Sequence, residues 1–576
     1  MNGPAPLPQR QQQFAAWAAS TLSFAVLAGG LITIAVAVHM VLVTYTSLPF
    51  SDAWTEINAA VRGVNLFSPQ WLWQQHNEHR IVLPKLFLAA DLLFFRSRQI
   101  FPLASILAIQ VAHLLLLSWA VREFAGWTRS TWRLATGVLA FCLFCPSQWE
   151  NFVWPFQTCF VLPPLFASLS FVALLLYSER HGSPGFLLLS IAAALGAQYS
   201  LANGNLVWPL LIAAAFWLAL DRRALAAYVL TGSVSTFFFF HQYILSYTPG
   251  RVATSLVSPM KIFSFVLVYL GAAWSNVPVR AAIGGACGLL SAVLLFWYHR
   301  KAPRARALLL LILLTVLFCI GTALLTAFAR WHMGPEQALA PRYQTPVLLF
   351  WGELALLLLL AFDDRRWSAG LLPLFALLML VVFVRGAYQA VYPIRQARWH
   401  GFQVNAAGAA LMTGVDDPRQ FYYAAVDTAH IIQDVAYLRE QQLSIFAGDP
   451  YRQLHKPLAL TAQILPRDSC TGELQSVTPL ADQGVAGGVR VAGWTWDLVG
   501  HKPASYIVVV SKGEIMGFGA VGDWRPTIRA LRRYMSTSFI GFTAYAEPSR
   551  SATPITIYAV MEKKPLEACP VATIQP

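Results

Sequence analysis

An acid at position 52 and the run His76-Asn77-Glu78-His79-Arg80 are the residues here whose types and spacing could do chemistry. A carboxylate can take the proton of an attacking hydroxyl, and cations can stabilise a departing phosphate. Asp52 suits the first role, with Glu78 as the rival base. Ser51-Asp52 also reads as a helix N-cap signal. If 76–80 is helical, His76, His79 and Arg80 share a face at i, i+3 and i+4 while Glu78 points elsewhere. His76 and His79 with Asp52 could hold a divalent metal. The plainer reading is a solvated, hydrogen-bonded loop, and no other cofactor is called for.

Arg80, Lys85, Arg330 and Arg342 are the candidates to hold a phosphate, because ammonium and guanidinium groups bind it directly and a guanidinium does so bidentately. Arg330-Trp331-His332 and Pro341-Arg342-Tyr343 stand at the two ends of one connector, so both can face one cavity. Glu150, in Trp149-Glu150-Asn151, joins His332, Tyr343 and the histidines as a candidate substrate contact. The competing role for each arginine is snorkelling to lipid headgroups.

The elements that must position these groups are apolar. Of 576 residues, 57% are hydrophobic and 12% charged, and the mean hydropathy is +0.54. That composition predicts a polytopic membrane protein. The net charge of +14 lies in short clusters between apolar runs, which is a topology signal and argues against nucleic acid as a partner. The first run, roughly 21–46, is long enough to cross a bilayer and reads as a retained anchor.

Twelve apolar runs follow one another between residues 21 and 390. Basic connectors at 122–133, 221–223, 300–306 and 363–366 should all lie on the cytoplasmic side, and strict alternation forbids it. One run must fail to cross, and the short 260–275 run is the candidate, which leaves about eleven spans and an outward C-terminus. The outer face then collects 52–80, 147–157, 199–205, 241–251 and 330–343. The expected organisation is a cytoplasmic N-terminus 1–20, a membrane domain 21–390 with its outward first loop 47–100, a helical connector 391–469 and a β domain 470–576.

Cys142, Cys145, Cys159, Cys287 and Cys319 lie in or beside apolar runs, as small buried thiols do. Cys470 and Cys569 bracket the polar C-terminal region and predict a disulfide in an oxidising compartment. Alternating runs such as 489–494, 506–511 and 555–561 predict an antiparallel, sandwich-like β domain. Its Trp494, Trp496 and Trp524 are candidates to bind glycan, or else core.

The first span ending in Ser51-Asp52, the long outward first loop, about eleven spans and the outward C-terminal domain together resemble the GT-C superfamily of polyprenyl-phosphate-sugar glycosyltransferases. The strings 75–84 (QHNEHRIVLP), 150–157 (ENFVWPFQ), 202–204 (ANG) and 337–343 (QALAPRY) are similar to bacterial envelope proteins of that type. The resemblance implies an inner-membrane, multi-pass enzyme with a periplasmic active site. It would move a sugar with inversion from a polyprenyl-phosphate donor to a glycan or glycolipid acceptor, with Asp52 matching the superfamily's first-loop base. No acidic pair adjoins Asp52, Glu56 being nearest, which departs from the superfamily pattern. The rival expectations are an O-antigen polymerase or ligase and a lipid-linked sugar transporter. The second would call for internal repeats and mid-membrane charges, which the sequence does not plainly offer.

Overall fold

The computed structural model describes residues 9–180, 182–244, 258–300, 305–362, 368–425, 430–480, 487–531, 535–547 and 554–575. They form two compact units. One comprises Met1–Val41, Phe67–Phe87 and Leu103–Ile394, the other Leu42–Leu66, Leu88–Pro102 and Arg395–Pro576. The first connector, 47–100, is therefore not a single appendage of the membrane domain. Its flanks cluster with the C-terminal residues because main-chain bonds hold them there: Ser51 N donates to Ala424 O at 2.8 Å, and Ser444 N donates to Arg96 O at 2.7 Å.

In the helical unit each apolar run is a helix, rich in the Leu and Ala that favour one. Among the described residues, eight helical segments are long and apolar enough to cross a membrane. Three more, Pro184–Gln198, Ala202–Trp217 and Pro259–Gly271, are apolar but shorter. Their burial is uneven. The segment Pro155–Glu179 buries 78% of its most apolar stretch, whereas Pro278–His299 buries 22% and leaves Ile283, Leu290, Val293 and Leu294 exposed. A helix apolar on its open face needs an apolar surrounding.

The short helix Pro259–Gly271 pairs closely with Pro278–His299, where a side chain at Gly271 or Gly285 would collide with the facing backbone. The Lys261 ammonium lies 5.2 Å from the Trp331 ring centre, and Leu270 O accepts from Trp351 Nε1 at 2.8 Å. Both ends of this helix thus sit near the segment 331–351. The partner helix runs on until His299 Nε2 meets Leu357 O at 3.0 Å.

In the other unit, helical segments including Pro418–Phe421 and Ile431–Glu440 lead into eight strands: β1 (Gln463–Ile464), β2 (Cys470–Leu480), β3 (Gly488–Asp497), β4 (Tyr506–Ser511), β5 (Glu514–Trp524), β6 (Phe539–Ala546), β7 (Ile555–Met561) and β8 (Glu567–Ile574). They form one sheet in the order β1-β8-β7-β4-β5-β6-β3-β2, antiparallel except for β1 with β8. The expected sandwich is corrected to a curled half-barrel. Inward residues of a single sheet, among them Val491, Ile507, Val509, Phe542, Ile557 and Met561, meet one another in one core instead of facing a second layer. Cys470 of β2 is bonded to Cys569 of β8, with Cα atoms 6.3 Å apart and a sequence separation of 99. The bond joins β2, at one end of the order, to β8, next to the strand at the other end, and holds the curl.

Trp494 and Trp496 are 2% and 0% exposed and pack with Met535 and Ile540. They are core, not a glycan platform. Trp524 is half-buried, with the Arg395 guanidinium 5.4 Å from its ring centre.

Candidate functional site

The 76–80 run is not a helix. His76 N donates to His79 O at 2.8 Å and His79 N returns a bond to His76 O at 2.9 Å. Asn77 takes a left-handed φ of 48°, a conformation Asn tolerates. The residues therefore form a tight turn, and the two imidazoles separate instead of sharing a face. The His76 ring lies 5.1 Å from that of Phe156, and His79 Nδ1 accepts from Ala202 N at 3.4 Å. Among the described residues no group of three or more His, Cys, Asp or Glu side chains is placed to hold a metal.

Glu78 projects from the tip of this turn. Its Oε2 is 3.4 Å from Arg330 Nη2 and 3.9 Å from His79 Nε2, while Oε1 is buried without a hydrogen-bond partner among the described residues. Its main-chain carbonyl accepts from Tyr243 OH at 3.0 Å. Burial, then the charges of His76 and Arg330, push the His79 pKa down to about 3. The ring is therefore neutral at pH 7, and the bond accepted at Nδ1 assigns its proton to Nε2, on the Glu78 side. Segments from four different connectors, at 156, 202, 243 and 330, thus meet one turn.

A second carboxylate and guanidinium pair forms nearby in sequence to two of these connectors. Arg342 Nη1 lies 3.1 Å from Glu150 Oε2, and both side chains are partly exposed. The pair is held by a buried amide relay that sequence reasoning missed. Asn151 Nδ2 donates to Arg342 O at 3.0 Å and to Thr345 Oγ1 at 2.8 Å. Thr345 donates on to Gln148 Oε1 at 2.7 Å. Asn151 stands in the string 150–157 and Gln148 and Thr345 just outside the strings 150–157 and 337–343, so the strings themselves were the available signal. Tyr343 is buried, its ring 5.5 Å from Tyr269 and 5.2 Å from the Arg342 guanidinium. It braces the arginine. His332 is exposed in the one-turn helix Trp331–Met333.

No known family model and no curated protein matches this chain.

Two of the expected phosphate ligands are instead spent on the fold. Arg80 is 4% exposed and donates to Trp73 O, His241 O and Phe239 O at 2.5, 2.6 and 2.7 Å. Lys85 is 1% exposed, and its Nζ donates to Gln74 O and Trp71 O at 2.7 and 2.8 Å. Both clamp the chain on either side of the turn, and such carbonyls are costly to leave unpaired when buried.

Asp52 belongs to the other unit. It lies in the one-turn helix Ser51–Ala53, before Trp54–Val61, helices whose N-cap positions are Phe50 and Ala53. Ser51 has a left-handed φ of 53°, and Trp54 Nε1 donates to Ala424 O at 2.9 Å, which fixes the backbone on both sides. Glu56, one turn on, is 2% exposed.

One buried acid in the middle of an apolar helix was not among the residues singled out from the sequence. Glu353 lies in the middle of the helix Gln344–Phe362, is 1% exposed and has its Oε1 without a partner among the described residues. A lone Glu within a run of Leu was the signal for it. The Cys142 and Cys145 thiols are buried and free.

Proposed function

We propose that the chain is a multi-pass membrane glycosyltransferase. It moves a sugar from a polyprenyl-phosphate donor onto a periplasmic glycan or glycolipid acceptor, as its resemblance to the GT-C superfamily implies. The observation that carries the reading is the turn His76–His79, around which four of the polar connectors meet and which sets Glu78 against Arg330. Glu150 with Arg342 adds a second such pair on two of the same connectors. Carboxylates beside guanidiniums are what the reaction needs. The acceptor hydroxyl attacks the sugar's anomeric carbon and gives its proton to a carboxylate, the bond from that carbon to the phosphate oxygen breaks, and the phosphate leaves toward Arg330 or Arg342. Asp52 and Glu78 are the candidate bases.

The position of Pro259–Gly271, with both ends near 331–351, supports counting it as the run that does not cross. Eleven passes then put the C-terminal unit outside, where the bond between Cys470 and Cys569 is stable. Glu353 favours the second reading, a lipid-linked sugar transporter, since mid-depth acids mark ion paths.

The test is transfer of labelled sugar from polyprenyl-phosphate donors in nanodiscs, with donor binding followed separately. Replacing the true base by its amide, as Asp52→Asn or Glu78→Gln, is expected to cut transfer ~10² to 10⁴-fold with donor binding retained. Normal transfer by both variants overturns the mechanism. Donor movement across the bilayer without transfer, abolished by Glu353→Gln, would establish the transporter instead.

A further inference from the structure

The second unit contains a cavity of about 380 Å³, lined by the helix end Met412–Gly414, Arg439, Tyr451, Arg452, His455 and Glu547 among others. The volume is that of a small-molecule site. Nothing in the transferase reading uses it.

Its charges do not balance. Glu547 is the one acid among the lining residues, and its Oε1 is already 3.5 Å from His455 Nε2. Arg439 donates Nη2 to Leu411 O at 3.1 Å and lies 5.4 Å from the Phe446 ring centre, which leaves the rest of its fork open. The Arg452 side chain is exposed and makes no ion pair or hydrogen bond with a described residue. One wall thus offers guanidinium donors. The other wall is the end of the long helix Ser368–Thr413, closed by Gly414 at φ 68°. Of its last carbonyls, Ala410 O accepts from Val415 N and Leu411 O from Gly414 N and Arg439 Nη2, which leaves those of Met412 and Thr413 to accept from hydroxyls.

We infer that this cavity binds a small acidic sugar, with its carboxylate or phosphate on Arg452 and the open edge of Arg439 and its hydroxyls on the carbonyls at the end of the helix. An anion alone would meet only the first wall, and a neutral sugar only the second. Both features in one ligand use both. The site is independent of the transfer chemistry and gives the soluble unit a binding role of its own.

The experiment uses the full chain in nanodiscs of neutral lipid, with glucuronic acid, glucose 6-phosphate, glucose and inorganic phosphate as probes and affinity read by calorimetry. The two acidic sugars separate a carboxylate from a phosphate preference. At least one of them is expected to bind about tenfold or more tightly than glucose and than phosphate alone. Arg452→Ala, an exposed change whose fold is checked by thermal unfolding, is expected to remove about ten- to a hundredfold of that affinity. Glu547→Gln, which removes the competing acid, is expected to tighten binding. Equal affinity for glucose, equal affinity for phosphate alone, or an unaltered affinity in Arg452→Ala overturns the inference. Loss of the sugar signal in discs of anionic lipid, with Arg452→Ala releasing the lipid, would instead assign the cavity to headgroups and overturn it too. None of these outcomes bears on transfer, which is measured separately.

Discussion

Arg80 and Arg330 carry the same charge in the same helical unit and are used in opposite ways. Arg80 is 4% exposed, its fork closed by three main-chain carbonyls. Arg330 keeps a quarter of its side chain accessible and faces the Glu78 carboxylate at 3.4 Å. Lys85 belongs with the first and Arg342 with the second. A cation enclosed by carbonyls fixes loops, and its removal should be read in stability. A cation shared with a carboxylate at an open surface can exchange partners with a ligand, and its removal should be read in binding.

The largest effect expected is therefore on folding. Arg80→Met strands three carbonyls and should lower stability by about 3–5 kcal/mol in thermal or denaturant unfolding. Arg80→Lys should not restore it, because an ammonium cannot reproduce the planar fork. An unchanged unfolding temperature in Arg80→Met would break the distinction at its clearest point. Lys85→Met leaves two carbonyls and should cost about 2 kcal/mol.

Asp91, in the other unit, sharpens the comparison from the anionic side. It is 1% exposed and accepts from Gln99 N at 2.9 Å and Gln99 Nε2 at 3.2 Å. Burial nonetheless pushes its pKa up to about 6. Because the folded value lies above the ordinary one, the folded state binds the proton more tightly than the unfolded. Stability should be greatest below the ordinary carboxylate range, fall as pH rises toward about 6, and level off beyond it. Asp91→Asn should flatten that slope and gain about 2 kcal/mol at pH 7. A parallel pH dependence in both proteins would mean that Asp91 does not carry the slope.

The smallest stability effect should come from the site cations. Arg330→Ala is expected to cost under about 1 kcal/mol of folding, as partly exposed ion pairs do, while weakening polyprenyl-phosphate donor binding about tenfold or more. A large folding defect with donor binding intact would move Arg330 into the class of Arg80.

Much of the scaffold was legible in the chain. Apolar runs of helical length became helices because each is Leu- and Ala-rich and bounded by polar connectors. The alternation at 506–511 and 555–561 became β4 and β7, since a strand shows one face to its core. Cys470 and Cys569, alone in the polar region, became a bonded pair. For the site, the chain pointed to the acids and arginines of the polar connectors, and Glu78 with Arg330 and Glu150 with Arg342 are in contact.

What the chain could not announce was which ionisable group would be spent on what. Arg80 and Arg330 look alike in one dimension. Only the fold brought Phe239 O and His241 O to the first and a carboxylate to the second. Of the two readings left open for 76–80, a helical face and a hydrogen-bonded loop, the second holds, as a turn in which Asn77 is left-handed and the two histidine backbones pair. The sandwich gave way to a curled sheet because strand alternation records only that one face is buried, while closure depends on which strands meet at the ends. Helix and strand are decided by neighbours in sequence. The use of a charge and the closure of a sheet are decided by contacts that neighbours in sequence do not make.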